Sequence, residues 1–357
     1  MNPRVSVLIP YYNDERFLCE SIESVLSQGF ADFELVLVNH ASTDGSRAIA
    51  RSFGDPRIVH VDMPVNHGAG GGLVVAEFLK VARGEYVKFF CADDVMGPDG
   101  LERLVRCLES RPDMGFAFGN VRYVDVLGKP MGADWFSDRG CRSEATSEVE
   151  CLRLLARPLS FLPWIGSIMR RILLEKVELD MTAVMTFDIS LWADLLLGGV
   201  RIGFLDDIVA DYRIHPGQMS AVGRRQEHLQ RVELELQTYF RRFMDCGIET
   251  AKQIFIDDRW VQSATSEEVV RAAVALHFLE KLPACASWAY LYLRDCLQHE
   301  AGRESLSSEL GLSVAEFRRI VGGVVEPRRH RSRWVRFRDK WLRRRKRGDD
   351  GPVGFSL

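Results

Sequence analysis

Adjacent carboxylates at Asp93 and Asp94 close the stretch Phe89-Phe90-Cys91-Ala92-Asp93-Asp94-Val95, with a thiol two residues before the first acid. Paired negative charge where an apolar run reaches the surface suits two tasks. One is to cap a helix opening near Pro98-Asp99-Gly100, because the N-terminal end of a helix attracts acids. The other is to hold a hard cation, which prefers carboxylate oxygen to sulfur. Cys91 suits such an ion poorly and reads as a small buried strand residue, the usual behaviour of free cysteine. Asp188 opens the run Phe187-Asp188-Ile189-Ser190-Leu191-Trp192, where it could cap a helix or accept a proton. His215 lies in Tyr212-Arg213-Ile214-His215-Pro216; neutral imidazole is a metal ligand and its cation pairs with phosphate. Arg170 and Arg171 could clamp phosphate or solvate a helix. The segment from Asn66 to Gly72 precedes a helical pattern, where backbone N–H groups could face an anion. No Gly-Lys-Ser or Gly-Lys-Thr follows it, so a flexible turn is the preferred reading.

The elements that must position these groups follow from periodicity. Val5 to Ile9, Phe33 to Val38, Arg57 to Val61 and Tyr86 to Phe90 are short apolar or β-branched runs and read as strands. Between them, Glu15 to Gln28 places Phe17, Leu18, Ile22, Val25 and Leu26 at helical spacing. Thr43-Asp44-Gly45-Ser46 opens a second helix with capping residues, and Leu73 to Ala82 gives a third. Alternating strands and helices predict an α/β fold with a doubly wound, mostly parallel sheet flanked by helices. In such sheets ligands bind beyond the carboxyl ends of the strands, where Pro10 to Asn13, Asn39 to Ser42 and the Asp93-Asp94 pair all fall. Gly128 to Glu148 reads as a long loop, Val149 to Ala156 as a helix, and the chain from Arg224 as nearly all helical. The division expected is 1–223 for the α/β domain, 224–326 for a helical region and 327–357 for a basic amphipathic tail.

With 357 residues, 46% hydrophobic and 27% charged, the chain has ordinary globular composition and room for one large and one smaller domain. Eight scattered cysteines without a C-x-x-C pair, and no leader-like N-terminus, fit a reducing cytoplasm. The formal net charge of −3 hides an asymmetry, because 328–347 holds twelve Lys or Arg against Asp339 alone. Trp334, Val335, Phe337, Trp341 and Leu342 recur among those cations at helical spacing. That pattern suits an interfacial helix on an anionic membrane surface; nucleic acid is the weaker candidate, and a solvated basic helix is the plain one.

Several of these motifs together resemble the family 2 glycosyltransferases of the GT-A fold. The resemblance rests on Val5 to Asn13, Glu23 to Gln28, Ser42 to Ser46, Ala82 to Tyr86 leading into Ala92-Asp93-Asp94, Trp164 to Ser167 with Arg170-Arg171, Phe187 to Trp192, and Tyr212 to Pro216. It covers roughly residues 4 to 220. It implies transfer of a sugar from a nucleoside diphosphate sugar to a hydroxyl acceptor with inversion, assisted by a divalent metal, Mn2+ or Mg2+. Carried over residue by residue, it makes Asp188 the catalytic base and Asp93, Asp94 and His215 the metal ligands. Pro10, Tyr12, Asn13, Asn39, Asp93 and Arg170 become donor-binding residues, with Tyr12 stacking on the base. The acceptor it suggests is a polysaccharide or lipid-linked saccharide handled at the inner membrane face. Three positions depart from the pattern: Cys91 and Ser190 stand where relatives often carry acids, and Asn39 replaces the acid that accepts the ring N–H of uracil. They leave open a competing reading as a non-catalytic sugar-nucleotide-binding or scaffold protein.

Overall fold

The computed structural model describes residues 2–68, 71–139, 146–157, 162–218, 226–283 and 286–325. The chain divides into two compact units, one drawn from 1–148 and 160–228, the other from 149–159 and from 229 onward. The basic tail lies outside the described residues, and so does the expected boundary at residue 223.

The first unit is built on one sheet. Its strands are β1 (Val5–Tyr11), β2 (Phe33–Asn39), β3 (Ile58–Asp62), β4 (Tyr86–Phe89), β5 (Val95–Met96), β6 (Met114–Val124), β7 (Pro130–Asp134), β8 (Ser167–Arg170) and β9 (Arg201–Arg213). The order is β3-β2-β1-β4-β8-β6-β9-β5, with β7 paired to β6. β1 to β4 are parallel, as the alternating sequence predicts. The rest is mixed: β8 runs antiparallel to both β4 and β6, β9 is parallel to β6, and β5 is antiparallel to β9. Helices α1 (Leu18–Leu26), α2 (Ser46–Ser52), α3 (Gly71–Leu79), α4 (Gly100–Ser110), α5 (Trp135–Arg139), α7 (Arg171–Lys176) and α8 (Phe187–Leu197) accompany it; α6 (Glu148–Leu155) belongs almost wholly to the second unit.

β1 and β2 are apolar along nearly their whole length because they are buried on both faces. Val5, Val7, Ile9, Leu35 and Leu37 share a core with Leu18, Ile22 and Val25 of α1 and Leu101, Leu104 and Leu108 of α4. Elsewhere Trp192 of α8 stacks on Phe116 at 5.8 Å and meets Phe118 edge-on at 4.9 Å. Part of the stretch expected as a loop is ordered, because β7 pairs back on β6 and α5 follows it at once.

The second unit continues with α9 (Gln226–Arg241), α10 (Ile248–Ile254), α11 (Arg259–Ser263), α12 (Glu267–Lys281), α13 (Ser287–Gln298), α14 (Glu300–Leu310) and α15 (Val314–Val325). Its core is aromatic: Phe240 lies 4.7 Å from Phe278, and Tyr239 and Phe243 are wholly buried beside them. Asp258 caps α11 by accepting the Trp260 and Val261 N–H groups, and its other oxygen meets His277 Nδ1 at 2.7 Å.

Candidate active site

The carboxyl ends of β1, β2 and β4 meet at one edge of the sheet, since Tyr11 pairs with Asn39 and Leu8 with Phe89. The backbone is unusual there. Asn13 has φ 56° and Ala41 φ 59°, left-handed conformations in the loops that follow β1 and β2. Asparagine tolerates this region, and the Asn13 amide fixes the second loop: its Oδ1 accepts the Thr43 N–H at 2.8 Å. Tyr12, 44% exposed beside it, offers an open aromatic face. Its N–H donates to Asp14, whose carboxyl burial pushes up to about 6, with Asp93 and Asp44 adding to the effect.

Four residues beyond β4, Asp93 Oδ2 lies 3.0 Å from His215 Nε2, and the two side chains are 22% and 10% exposed. Asp94 is almost wholly buried. Its Oδ1 accepts the Arg213 N–H at 2.8 Å, while its Oδ2 is buried with no hydrogen-bond partner. Burial, then the neighbouring Asp93, hold the Asp94 carboxyl well above the usual carboxylate range. A buried oxygen without a donor is costly unless something positive completes it. The ligand atoms of Cys91, Asp93 and Asp94 lie within 4.8 Å of one another. Burial raises the Cys91 thiol well above its ordinary value, so it stays protonated and is a poor ligand. Asp93 and Asp94 thus bring two carboxylates to this corner, and the His215 imidazole lies against the first of them.

Two buried basic side chains flank this acidic corner, and neither figures among the sequence-derived site residues. Arg213 is buried and reaches four ways: Nε to the Asp93 carbonyl, the N–H to Asp94, and the two terminal nitrogens to the Val126 carbonyl and Glu20. Its signal was its place two residues before His215. Lys88, fully buried on β4, donates to the carbonyls of Phe89 and Ile165, and desolvation lowers its pKa to about 7.

Asn39 is buried at the end of β2. Its amide oxygen accepts the Ser42 N–H at 2.9 Å and its NH2 donates to Asp62. The carboxylate here thus sits at the end of β3 rather than β2, gripped by Arg47 and Arg51, which hold it far below the usual carboxylate range. Pro10, in β1, contributes backbone to this edge. Asp188 is half-buried in the first turn of α8 and accepts the Ile189 N–H; the N-cap position itself is Thr186. The start of α8 is tied to the end of β4 through aromatic rings, with Phe187 edge-on to Trp164 at 6.0 Å and Trp164 stacked on Phe89 at 4.0 Å.

Arg170 requires a correction. It pairs with Tyr86 at the start of β4, at the opposite end of the strand from Asp93. Its guanidinium is spent on the carbonyls of Met114 and Leu108, so it is a structural clamp remote from the donor edge. Arg171 likewise donates to Gly84 and pairs with Glu175. The glycines at 71 and 72 also serve packing: a Cβ on Gly71 would lie 2.4 Å from the Ala183 carbonyl and one on Gly72 2.7 Å from that of Asp180.

An α/β sheet with carboxylates beyond the central strand is the GT-A architecture, and the similarity to solved structures is to that fold. Residues 1–349 of S. aureus TarS in complex with UDP superpose with a TM-score of 0.57 at 18% identity, covering 87% of this chain and 92% of that one. A mannosyltransferase of Pyrobaculum calidifontis, in complex with GDP-Man and Mn2+, gives 0.51 at 20% identity over 91% and 88%. In sequence, the profile of Glycosyl transferase family 2 matches residues 6–178. An uncharacterised glycosyltransferase of Nostoc sp. is 30% identical over 237 residues, 63% of this chain and 69% of that protein. The UDP-Glc:alpha-D-GlcNAc-diphosphoundecaprenol beta-1,3-glucosyltransferase WfgD of Escherichia coli is 31% identical over 128 residues, 35% of this chain and 49% of its own length. This chain belongs to glycosyl transferase family 2.

Proposed function

We propose that the protein moves a single sugar from a nucleoside diphosphate sugar to a hydroxyl acceptor by one in-line displacement with inversion. The observation that carries this reading is the Asp93 to His215 contact beside the unpartnered buried oxygen of Asp94, at the sheet edge where donors bind in this fold. Asp93, Asp94 and His215 would hold Mn2+ or Mg2+. Such an ion offsets the charge that grows on a diphosphate leaving group. Tyr12 would stack on the base, and the Pro10 to Asn13 turn would frame the nucleotide. Asn39, whose amide oxygen already accepts the Ser42 N–H, would shape the base pocket together with Asp62. Asp188 would take the proton of the attacking hydroxyl, because carboxylates committed to a cation are poor bases.

The acceptor we favour is a polysaccharide or lipid-linked saccharide. Its supports are the diphosphoundecaprenol acceptor named for the similar WfgD protein and the basic, aromatic 328–347 segment, which suits docking at the inner membrane face. No helix among the described residues is long and apolar enough to cross a membrane. The test is donor turnover with UDP- and GDP-linked sugars, with and without Mn2+. Metal-stimulated release of the nucleoside diphosphate from at least one donor is expected. Nucleotide binding without any turnover would favour a non-catalytic sugar-nucleotide-binding protein instead.

A further inference from the structure

We propose that Gln218 is a positioning residue that fixes His215 against Asp93, and that the Tyr212 hydroxyl in turn fixes Gln218. The inference rests on the reading of His215 as a cation ligand. The His215 N–H donates to Gln218 Oε1 at 2.6 Å, and the Gln218 N–H returns to the His215 carbonyl at 3.3 Å. The Gln218 Nε2 group donates to Tyr212 Oη at 3.0 Å. Gln218 is itself buried, 8% exposed, although it follows the turn Pro216-Gly217. Both ends of its amide are therefore committed to the strand end and turn that carry His215. Tyr212 is anchored in β9, where it pairs with Tyr123 and meets the ring of Trp135 at 5.6 Å. The relay thus runs from the sheet, through one hydroxyl and one amide, to the backbone of the imidazole residue. Phe17 closes the other side, its ring 4.8 Å from that of His215.

A ligand on a turn gains affinity when its orientation is set before the ion arrives, and loss of such outer contacts typically costs about 10- to 100-fold in metal affinity. Gln218→Ala removes both amide contacts. Tyr212→Phe removes only the far one and keeps the ring. Gln218→Glu keeps an oxygen acceptor for the His215 N–H, and the Tyr212 hydroxyl can donate to it. Binding of Mn2+ alone, followed by electron paramagnetic resonance, should weaken about 10-fold in Gln218→Ala and less in Tyr212→Phe, while Gln218→Glu, which keeps the acceptor and adds a negative charge, should bind no more weakly than wild type. In the metal-free protein the His215 imidazole resonances of Gln218→Ala should broaden while the melting temperature stays close to wild type. His215→Ala is the control. If it loses Mn2+ affinity while Gln218→Ala and Tyr212→Phe bind as wild type does, the relay is wrong and the metal reading stands. If His215→Ala also binds Mn2+ normally, the ligand assignment fails and the relay fails with it.

Discussion

Asp94 is the residue on which the metal reading turns, because one of its oxygens is satisfied by the Arg213 N–H and the other is buried with nothing to accept. Asp94→Asn keeps the volume and an acceptor for Arg213 but removes the charge that draws a hard cation. It should abolish Mn2+-dependent binding of nucleoside diphosphate in calorimetric titration, and so should Asp93→Ala. Cys91→Ser should leave most activity in place, since a thiol held protonated by burial gives little to such an ion. A Cys91→Ser protein as damaged as Asp93→Ala would sink that account. Asp188 makes a separate prediction. Asp188→Asn retains an oxygen for the Ile189 N–H but loses basicity. Turnover should drop about 10²-fold or more with donor affinity nearly intact. A capping role alone predicts near-normal turnover and a small loss of stability. Turnover, nucleotide affinity and melting temperature on this one variant separate the two.

The elements differ in how plainly the sequence announces them. β1, β2 and β4 stand out because burial on both faces favours a largely apolar or β-branched run, broken only by Ser6, Glu34 and Lys88 before the strand ends, and α1 because one face alone is buried. β9 does not stand out: Asp206, Asp207, Asp211 and Arg213 interrupt its pattern. Their reasons are tertiary, since Arg122 clamps Asp211 through two 2.8 Å contacts and Arg103 pairs with Asp207. For the same reason the remoteness of Arg170 was hidden, because an antiparallel β8 reverses which end of the segment faces the donor edge. β4 also carries a testable oddity in Lys88. Its pKa falls from 10.5 to about 7 on folding, mainly through desolvation. Above pH 7 the unfolded chain therefore binds a proton that the folded chain does not, and this group makes stability rise with pH, by at most about 1.4 kcal/mol per unit. The raised thiols of Cys91 and Cys107 act in the opposite sense once unfolded cysteine begins to ionise near about pH 8.5. Between pH 7 and that point, urea unfolding of wild type should show a steeper positive slope than Lys88→Met. Parallel curves would mean that Lys88 titrates alike in both states.

At the scale of the whole molecule, the helical unit and the basic segment beyond it lie largely outside the family match at residues 6–178. The helical unit has its own aromatic core, and in it the buried Asp258 pairs with the half-buried His277. The segment 328–347 is different in kind: twelve cations and two tryptophans offer charge for an anionic surface and rings for its interface. Near such a surface each basic residue contributes on the order of 1 kcal/mol, so even a few engaged side chains suffice for reversible attachment. Because that contribution is electrostatic, it should weaken as salt rises and the Debye length shrinks. The protein should sediment with vesicles containing anionic lipid at low salt, less so at high salt, and not with neutral vesicles. A chain cut after Glu326 should remain in the supernatant while keeping its donor turnover, since that chemistry is assigned wholly to the first unit. Equal pelleting of the full and shortened chains would refute the membrane role of the tail, and loss of donor turnover on truncation would show that the tail contributes to the catalytic unit.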